Sequence, residues 1–161
     1  IVGGDIDYVV NIQGDEPFIE PAQLVELIAG FASQAPILTL IKRIHDEETL
    51  FSINTPKVIK NAVGEALYFS RQTIPFLRGI EKSAWLASHV FFKHIGLYAY
   101  RADVLKKLSQ LKPSPLEVAE SLEQLRWLEN GYVIQTIETQ YETVGIDSPA
   151  DLEKIKKIIT A

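Results

Sequence analysis

Neither cysteine nor methionine occurs among the 161 residues. The missing thiols exclude disulfides, thiolate metal ligands and a cysteine nucleophile. They fit a reducing compartment, and the expected location is cytoplasmic. Cations are in the minority, with 16 Lys and Arg against 21 Asp and Glu and a net charge of −5. That balance argues against a general nucleic-acid binder, which presents a basic face. A small anionic ligand needs only a local cluster of cations or backbone N–H groups. No apolar run is long enough to span a bilayer, so no membrane partner is expected. The phosphate loop Gly-x-x-x-x-Gly-Lys-Ser/Thr, the Gly-x-Gly-x-x-Gly turn after a strand and the Gly-x-Ser-x-Gly elbow are all absent. His45 and His89 have no spacing partner, and nothing resembles a zinc site. An initiator Met is missing too, and Ile1-Val2-Gly3-Gly4 lacks the pattern of a secretory signal. The expectation is that the sequence begins inside a longer protein.

What is present reads as one α/β domain over residues 1–161, with 47% hydrophobic residues. Strands are expected at Asp7–Ile12, Ala35–Ile41, His94–Tyr100 and Tyr132–Glu138. A hairpin is expected from Lys57–Lys60 and Ala66–Phe69 around Asn61–Gly64. Helices are expected at Pro21–Ala32, Asp46–Ser52, Ala102–Leu108, Ser114–Asn130 and Ser148–Ile159. In the first helix Leu24, Leu27, Ile28 and Phe31 share a face. Ser114–Asn130 is the clearest helix, with a Ser114/Glu117 capping box, Pro115 in the first turn and Gly131 beyond the end. Arg71–Gly79 reads as a loop, and Ile80–Phe92 shows no clear pattern. Alternating strands and helices imply an α/β sandwich with a mostly parallel sheet.

The chemistry concentrates after the apolar run Tyr8–Ile12, where Gln13-Gly14-Asp15-Glu16-Pro17 puts two carboxylates at a strand's carboxyl end. Open α/β sheets bind ligands there, and a carboxylate can hold Mg²⁺ against substrate phosphates. Asp147 follows a second apolar run with a glycine, Val144-Gly145-Ile146, and distant acids at sheet ends can converge on one metal. Taken alone, Asp15 reads better as a turn residue and Asp147 as part of a helix cap. Arg71 and Arg78 lie in a loop past a strand and offer planar forks for carboxylate or phosphate. For Arg78 alone, a solvated surface arginine is the preferred reading. Alternation puts His94, Gly96, Tyr98 and Tyr100 on one strand face, roomy enough for a hydrophilic ligand. A core histidine is the plainer reading of His94 alone. On the long helix Val118, Leu122 and Leu125 form the apolar stripe, with Glu123 and Gln124 on its rim and Glu117 and Glu120 solvated.

The ordered set Val10-Asn11-Ile12-Gln13-Gly14-Asp15-Glu16-Pro17, Ala66-Leu67-Tyr68-Phe69-Ser70-Arg71, Ile74-Pro75 and His94–Arg101 continues through Pro113–Glu117, Leu122–Arg126 and Gly145–Glu153. It resembles the 3-deoxy-manno-octulosonate (Kdo) cytidylyltransferases. The resemblance implies a three-layer α/β/α sandwich of the nucleotide-diphospho-sugar transferase type, usually a homodimer. It implies that CTP and Kdo are joined to CMP-Kdo with release of pyrophosphate, for lipopolysaccharide biosynthesis, and that Mg²⁺ is required. By position Asp15 and Asp147 would hold the metal, and Gln13 would contact substrate beside it. Arg71, Arg78, His94, Tyr98, Glu123 and Gln124 would form the sugar pocket, with Arg71 or Arg78 offsetting the Kdo carboxylate. The family's Gly/Arg/Lys loop for the CTP phosphates has no match here and is expected upstream of Ile1, so residues 1–161 alone are expected to bind CTP poorly. The alternatives are a cytidylyltransferase for another acidic sugar such as sialic acid, a non-catalytic fragment, and a glycosyltransferase on the same fold.

Overall fold

The computed structural model describes residues 6–14 and 19–142. Six strands among these form one sheet: β1 (Tyr8–Asn11), β2 (Ile37–Arg43), β3 (Lys57–Lys60), β4 (Ala66–Ser70), β5 (Phe92–Arg101) and β6 (Ile134–Glu138). The order is β4-β3-β5-β2-β6, and β1 also pairs with β5. β2 and β6 are parallel, while β1, β2 and β3 each pair antiparallel with β5, and β4 antiparallel with β3. Four strands therefore point one way, as the alternation suggests. The expected parallel neighbours are nevertheless in the minority, because the reversed β5 lies between them.

Helices cover both faces. On one face, α1 (Pro21–Ala29) packs Leu27 with Leu38, Leu40, Ile95, Leu97 and Ala99. Glu20 and Gln23 cap its start, with Gln23 Oε1 accepting from Glu20 N–H at 3.0 Å. A 3₁₀ turn over Gly30–Ser33 extends it. Gly30 is needed for close approach, since a Cβ there would run into Ile137 Cδ1 and lie 2.7 Å from Leu38 Cδ2. Ile28, expected on the buried face, is 51% exposed. On the other face α4 (Ala102–Leu108), α5 (Pro115–Glu120) and α6 (Gln124–Glu129) bring Val104, Leu108, Leu122, Leu125 and Trp127 onto Ile37, Ile41, Tyr98 and Tyr100. A smaller cluster joins Leu50 of α2 (Glu47–Phe51) to Trp85 of α3 (Trp85–Ser88), with Ile44 and Phe91.

Most local expectations hold. Asp46 caps α2 by accepting from Thr49 N–H at 2.7 Å. The β3–β4 hairpin turns at Asn61–Gly64, where Asn61 Oδ1 accepts from Val63 and Glu65 N–H and Gly64 has φ +86°. Arg71–Gly79 is a loop, with a cis Ile74–Pro75 bond.

The expected helix over Ser114–Asn130 does not form as one piece. It breaks at Ser121, which adopts the left-handed conformation with φ +52°. The cause is tertiary. Glu120 reaches over to β4, where its carboxylate accepts from Ser70 Oγ–H at 2.7 Å and Arg71 N–H at 3.0 Å. The Arg71 fork donates to the terminal carbonyls of Glu120 (2.8 Å) and Ser121 (3.2 Å). Carbonyls left over at a helix end need such partners. The break also turns Val118 out to 69% exposure, away from the core that Leu122 and Leu125 enter.

Candidate active site

The site is assembled along β5. Its residues His94, Tyr98 and Tyr100 share one face, with ring centroids 5.2 Å apart for the first pair and 5.8 Å for the second. The opposite face carries Ile95, Leu97 and Ala99. Alternation therefore survives a bulge in β5. Thr39 pairs with Tyr98 and Leu40 with Ile95, so two extra residues, Gly96 and Leu97, are inserted and the parity is kept.

One edge of β5 is shared by β1 and β3. Asn11 ends β1 opposite Tyr98, and β3 begins with Lys57 opposite Lys93. Between them neither strand is in register with β5. The chain leaves β1 into this gap, so Gln13, half-buried, lies two residues beyond the strand partner of Tyr98. The two segments that stood out in the sequence thus meet. Asp15, Glu16, Pro17 and Asp147 lie outside the described residues, as does the helix expected over Ser148–Ile159.

Beside this gap is a cavity of 440 Å³ lined by Asn11, Tyr100, Leu105, Leu108, Glu123, Arg126 and Trp127, among others. Burial pushes the Tyr100 hydroxyl well above its ordinary pKa, and the Glu123 carboxylate adds to this. A hydrogen bond with Asn11 opposes it. The phenol therefore stays protonated. Trp127 stands edge-on to Tyr98 at 5.2 Å and to Tyr100 at 5.4 Å, which fixes both rings.

Glu123 and Gln124 begin α6 and differ sharply. Glu123 is exposed on the cavity wall. Gln124 is 4% exposed, and its Nε2 has no hydrogen-bond partner among the described residues. A buried amide donor without a partner is costly, and a ligand hydroxyl or carboxylate would satisfy it. Arg126 is held in a two-pronged ion pair with Glu117, with Nε 2.7 Å from Oε2. Glu117 is therefore a brace between α5 and α6 rather than a solvated acid.

The two loop arginines also separate. Arg71 uses three of its five donors on Glu120 O, Ser121 O and Ile53 O. Arg78 is exposed and makes no hydrogen bond or ion pair among the described residues. Beneath Arg71 sits Lys57, fully buried, whose Nζ donates to Ser52 O at 2.5 Å and Thr55 O at 2.6 Å. Burial, with the nearby Arg71 charge, lowers its pKa to about 8.

His94 is half-buried against Phe69, whose ring is edge-on at 5.2 Å. Desolvation pulls its pKa down to about 3, so the imidazole is neutral at physiological pH. Its Nε2 lies 2.9 Å from Thr39 Oγ1. Thr39, Lys57 and Glu120 escaped the sequence reading as parts of this neighbourhood. Thr39 carried a signal, being the lone polar residue in Ile37-Leu38-Thr39-Leu40-Ile41.

A sheet whose carboxyl-end loop meets a hydroxyl-bearing strand face is a candidate ligand site, and similarity to known proteins supplies the class. A family model described as "Cytidylyltransferase" matches residues 2–158, and the chain belongs to this family. It is 61% identical over 150 residues, 92% of this chain, to the 3-deoxy-manno-octulosonate cytidylyltransferase of Cytophaga hutchinsonii. It is 44% identical over 158 residues, 94% of this chain, to the protein of that name from Geobacter metallireducens. These alignments cover 60% and 62% of the relatives, so the chain spans about three-fifths of their length. The solved structure of CMP:2-keto-3-deoxy-manno-octonic acid synthetase complexed with CTP superposes with a TM-score of 0.84 at 40% identity, over 98% of this chain and 63% of that one. The inositol-1-phosphate CTP transferase from T. maritima, at 17% identity and a TM-score of 0.59, covering 98% of this chain and 57% of that one, shares the fold.

Proposed function

We propose that the protein carrying this chain activates Kdo with CTP, giving CMP-Kdo and pyrophosphate for lipopolysaccharide biosynthesis in the cytoplasm. The observation that carries the reading is the 440 Å³ cavity walled by Tyr100, Asn11 and Glu123, next to Tyr98, which stacks on Tyr100, and His94, whose ring is tilted against Tyr98. This polar, hydroxyl-recognising wall occurs in a chain 61% identical to a protein named for that reaction.

In this reading the anomeric hydroxyl of Kdo attacks the α-phosphorus of CTP and pyrophosphate leaves. The protein's work is alignment and charge compensation. His94 and Tyr98 orient sugar hydroxyls, while Gln13, Glu123 and the unpaired Gln124 amide hold the sugar's polar edge. Arg78, unengaged among the described residues, has all its donors free for the Kdo carboxylate. Arg71 contributes through the two donors left after it secures Glu120, Ser121 and Ile53. Among the described residues no group of three or more His, Asp or Glu could hold a metal. The proposed Mg²⁺ ligands, by resemblance to the family, are Asp15 and Asp147, outside the described residues. The ion would neutralise phosphate charge and acidify the attacking hydroxyl.

The test is pyrophosphate release by the full-length protein with CTP and Mg²⁺, comparing Kdo with sialic acid. Release with Kdo and not with sialic acid is the expected result. Turnover with sialic acid alone would replace the sugar, and no turnover with either would overturn the reading. A homodimer is also proposed, supported by the exposed Leu67 (58%) and Phe76 (71%) near a groove lined by Ile74, Pro75 and Val90. Sedimentation equilibrium measures it.

A further inference from the structure

The hydroxyl of Thr39 has three neighbours and one proton. Its Oγ1 lies 3.0 Å from Leu97 O, 3.2 Å from Ile95 O and 2.9 Å from His94 Nε2. Both carbonyls belong to the β5 bulge, and a carbonyl oxygen can only accept. The Thr39 proton must therefore lie toward one or both of them. Its oxygen is then left to accept, and the group facing it at 2.9 Å must donate. Reversing the roles would leave two carbonyl oxygens within 3.2 Å of a hydroxyl oxygen with no proton between them. Thr39 is fully buried, so water cannot rearrange this set. The other ring nitrogen, Nδ1, makes no hydrogen bond among the described residues.

We propose that Thr39 is a positioning residue that holds His94 as the neutral Nε2–H tautomer, leaving Nδ1 as an acceptor for a hydroxyl group of the bound sugar. The tautomer assignment stands on the bulge geometry alone. The sugar hydroxyl as the donor rests on the function proposed above. The consequence for specificity is definite. An acceptor lone pair at Nδ1 welcomes a hydroxyl that donates and repels a carboxylate oxygen. The sugar's acid group must therefore be met elsewhere, by the arginines.

The first measurement is ring-nitrogen NMR on ¹⁵N-labelled protein. Three histidines give three ring systems, and His94→Gln identifies the relevant one by its loss. The expected pattern is a protonated Nε2 and an unprotonated Nδ1. The reverse tautomer, or a doubly protonated ring near neutral pH, would overturn the proposal whether or not the protein acts on Kdo. The second measurement is steady-state kinetics on the full-length protein. Thr39→Val is expected to mix the tautomers and raise KM for Kdo about fivefold to tenfold, the scale of one hydrogen bond. KM for CTP should stay unchanged, and Thr39→Ser should restore both tautomer and KM. Equal rises in both KM values, or failure of Ser to rescue, would show a structural role only. Absence of turnover in the wild type, with the tautomer as expected, would count against the proposed reaction and the sugar contact, and not against the tautomer.

Discussion

The two faces of the sheet are built to different rules. Against α1 the strands present Leu38, Leu40, Ile95, Leu97 and Ala99, all apolar, all buried, and paired with Leu27. Against α4–α6 the same strands present Thr39, His94, Tyr98 and Tyr100, with a cavity and a buried amide lacking a partner. On the first face the strands' own side chains fill the core as they should, although α1 itself carries a buried Glu26 Oε2 without a partner among the described residues. The other keeps polar groups and space that stability alone would not retain. The difference teaches that β5 is both a structural strand and a ligand platform, its two roles separated by alternation and by a bulge that preserves it.

The sharpest way to break this comparison is to damage each face separately. Leu97→Ala on the α1 face should destabilise the domain by about 2–5 kcal/mol, read by urea denaturation. In the full-length protein KM for Kdo should stay within twofold of wild type. A large KM change with intact stability would mean that the faces are not independent.

Next in size is Arg71→Lys. A lysine keeps the charge and loses the planar fork, so the carbonyls at the α5 end lose partners. A loss of about 1–3 kcal/mol is expected, measured by thermal unfolding in the absence of ligand. An unchanged melting temperature would mean that Arg71 serves ligand alone.

His94 gives a smaller, pH-dependent effect. Its pKa falls from 6.5 to about 3 on folding. The unfolded chain therefore binds more protons between these values, and stability falls as pH drops from 6.5 toward 3. The slope from this residue is at most about 1.4 kcal/mol per pH unit. That slope fades as pH rises more than about one unit above 6.5, where the unfolded histidine has lost its proton. Denaturation midpoints across this range should flatten in His94→Gln, and an identical profile in the variant would contradict the lowered pKa of His94.

The smallest effect is expected at Val118. A continuous helix would bury it, whereas the broken one leaves it 69% exposed. Val118→Ser should change stability by less than about 0.5 kcal/mol. A loss of several times that would restore the unbroken helix.

Much of the neighbourhood along β5 was legible because its signals are local. A strand ending just before Gln13-Gly14, expected to reach Ile12 and observed to end at Asn11, and His94, Tyr98 and Tyr100 at even spacing, follow from period two and turn chemistry. The hairpin over Lys57–Ser70 was legible for the same reason, through Asn61 and Gly64. Thr39 was visible only as an oddity in an apolar run. Its role needs the β5 carbonyls, 56 and 58 residues away. Glu120 looked solvated because a helical wheel cannot show that β4 lies across from it. The helix break at Ser121 was hidden likewise, since helix propensity competes with a contact made by Arg71, 49 residues distant.

By itself, then, the order of residues settled most of the strands, their alternation with helices and the family, since backbone preferences and apolar periodicity act over a few neighbours and ordered segments identify kinship. Folding in three dimensions alone decided that β5 runs against its neighbours, that Arg71 clasps a helix end, that Gln124 is buried without a partner and which nitrogen of His94 carries the proton. Those outcomes depend on hydrogen-bonding groups far apart in the chain, and only packing determines which of them come within 3 Å of each other.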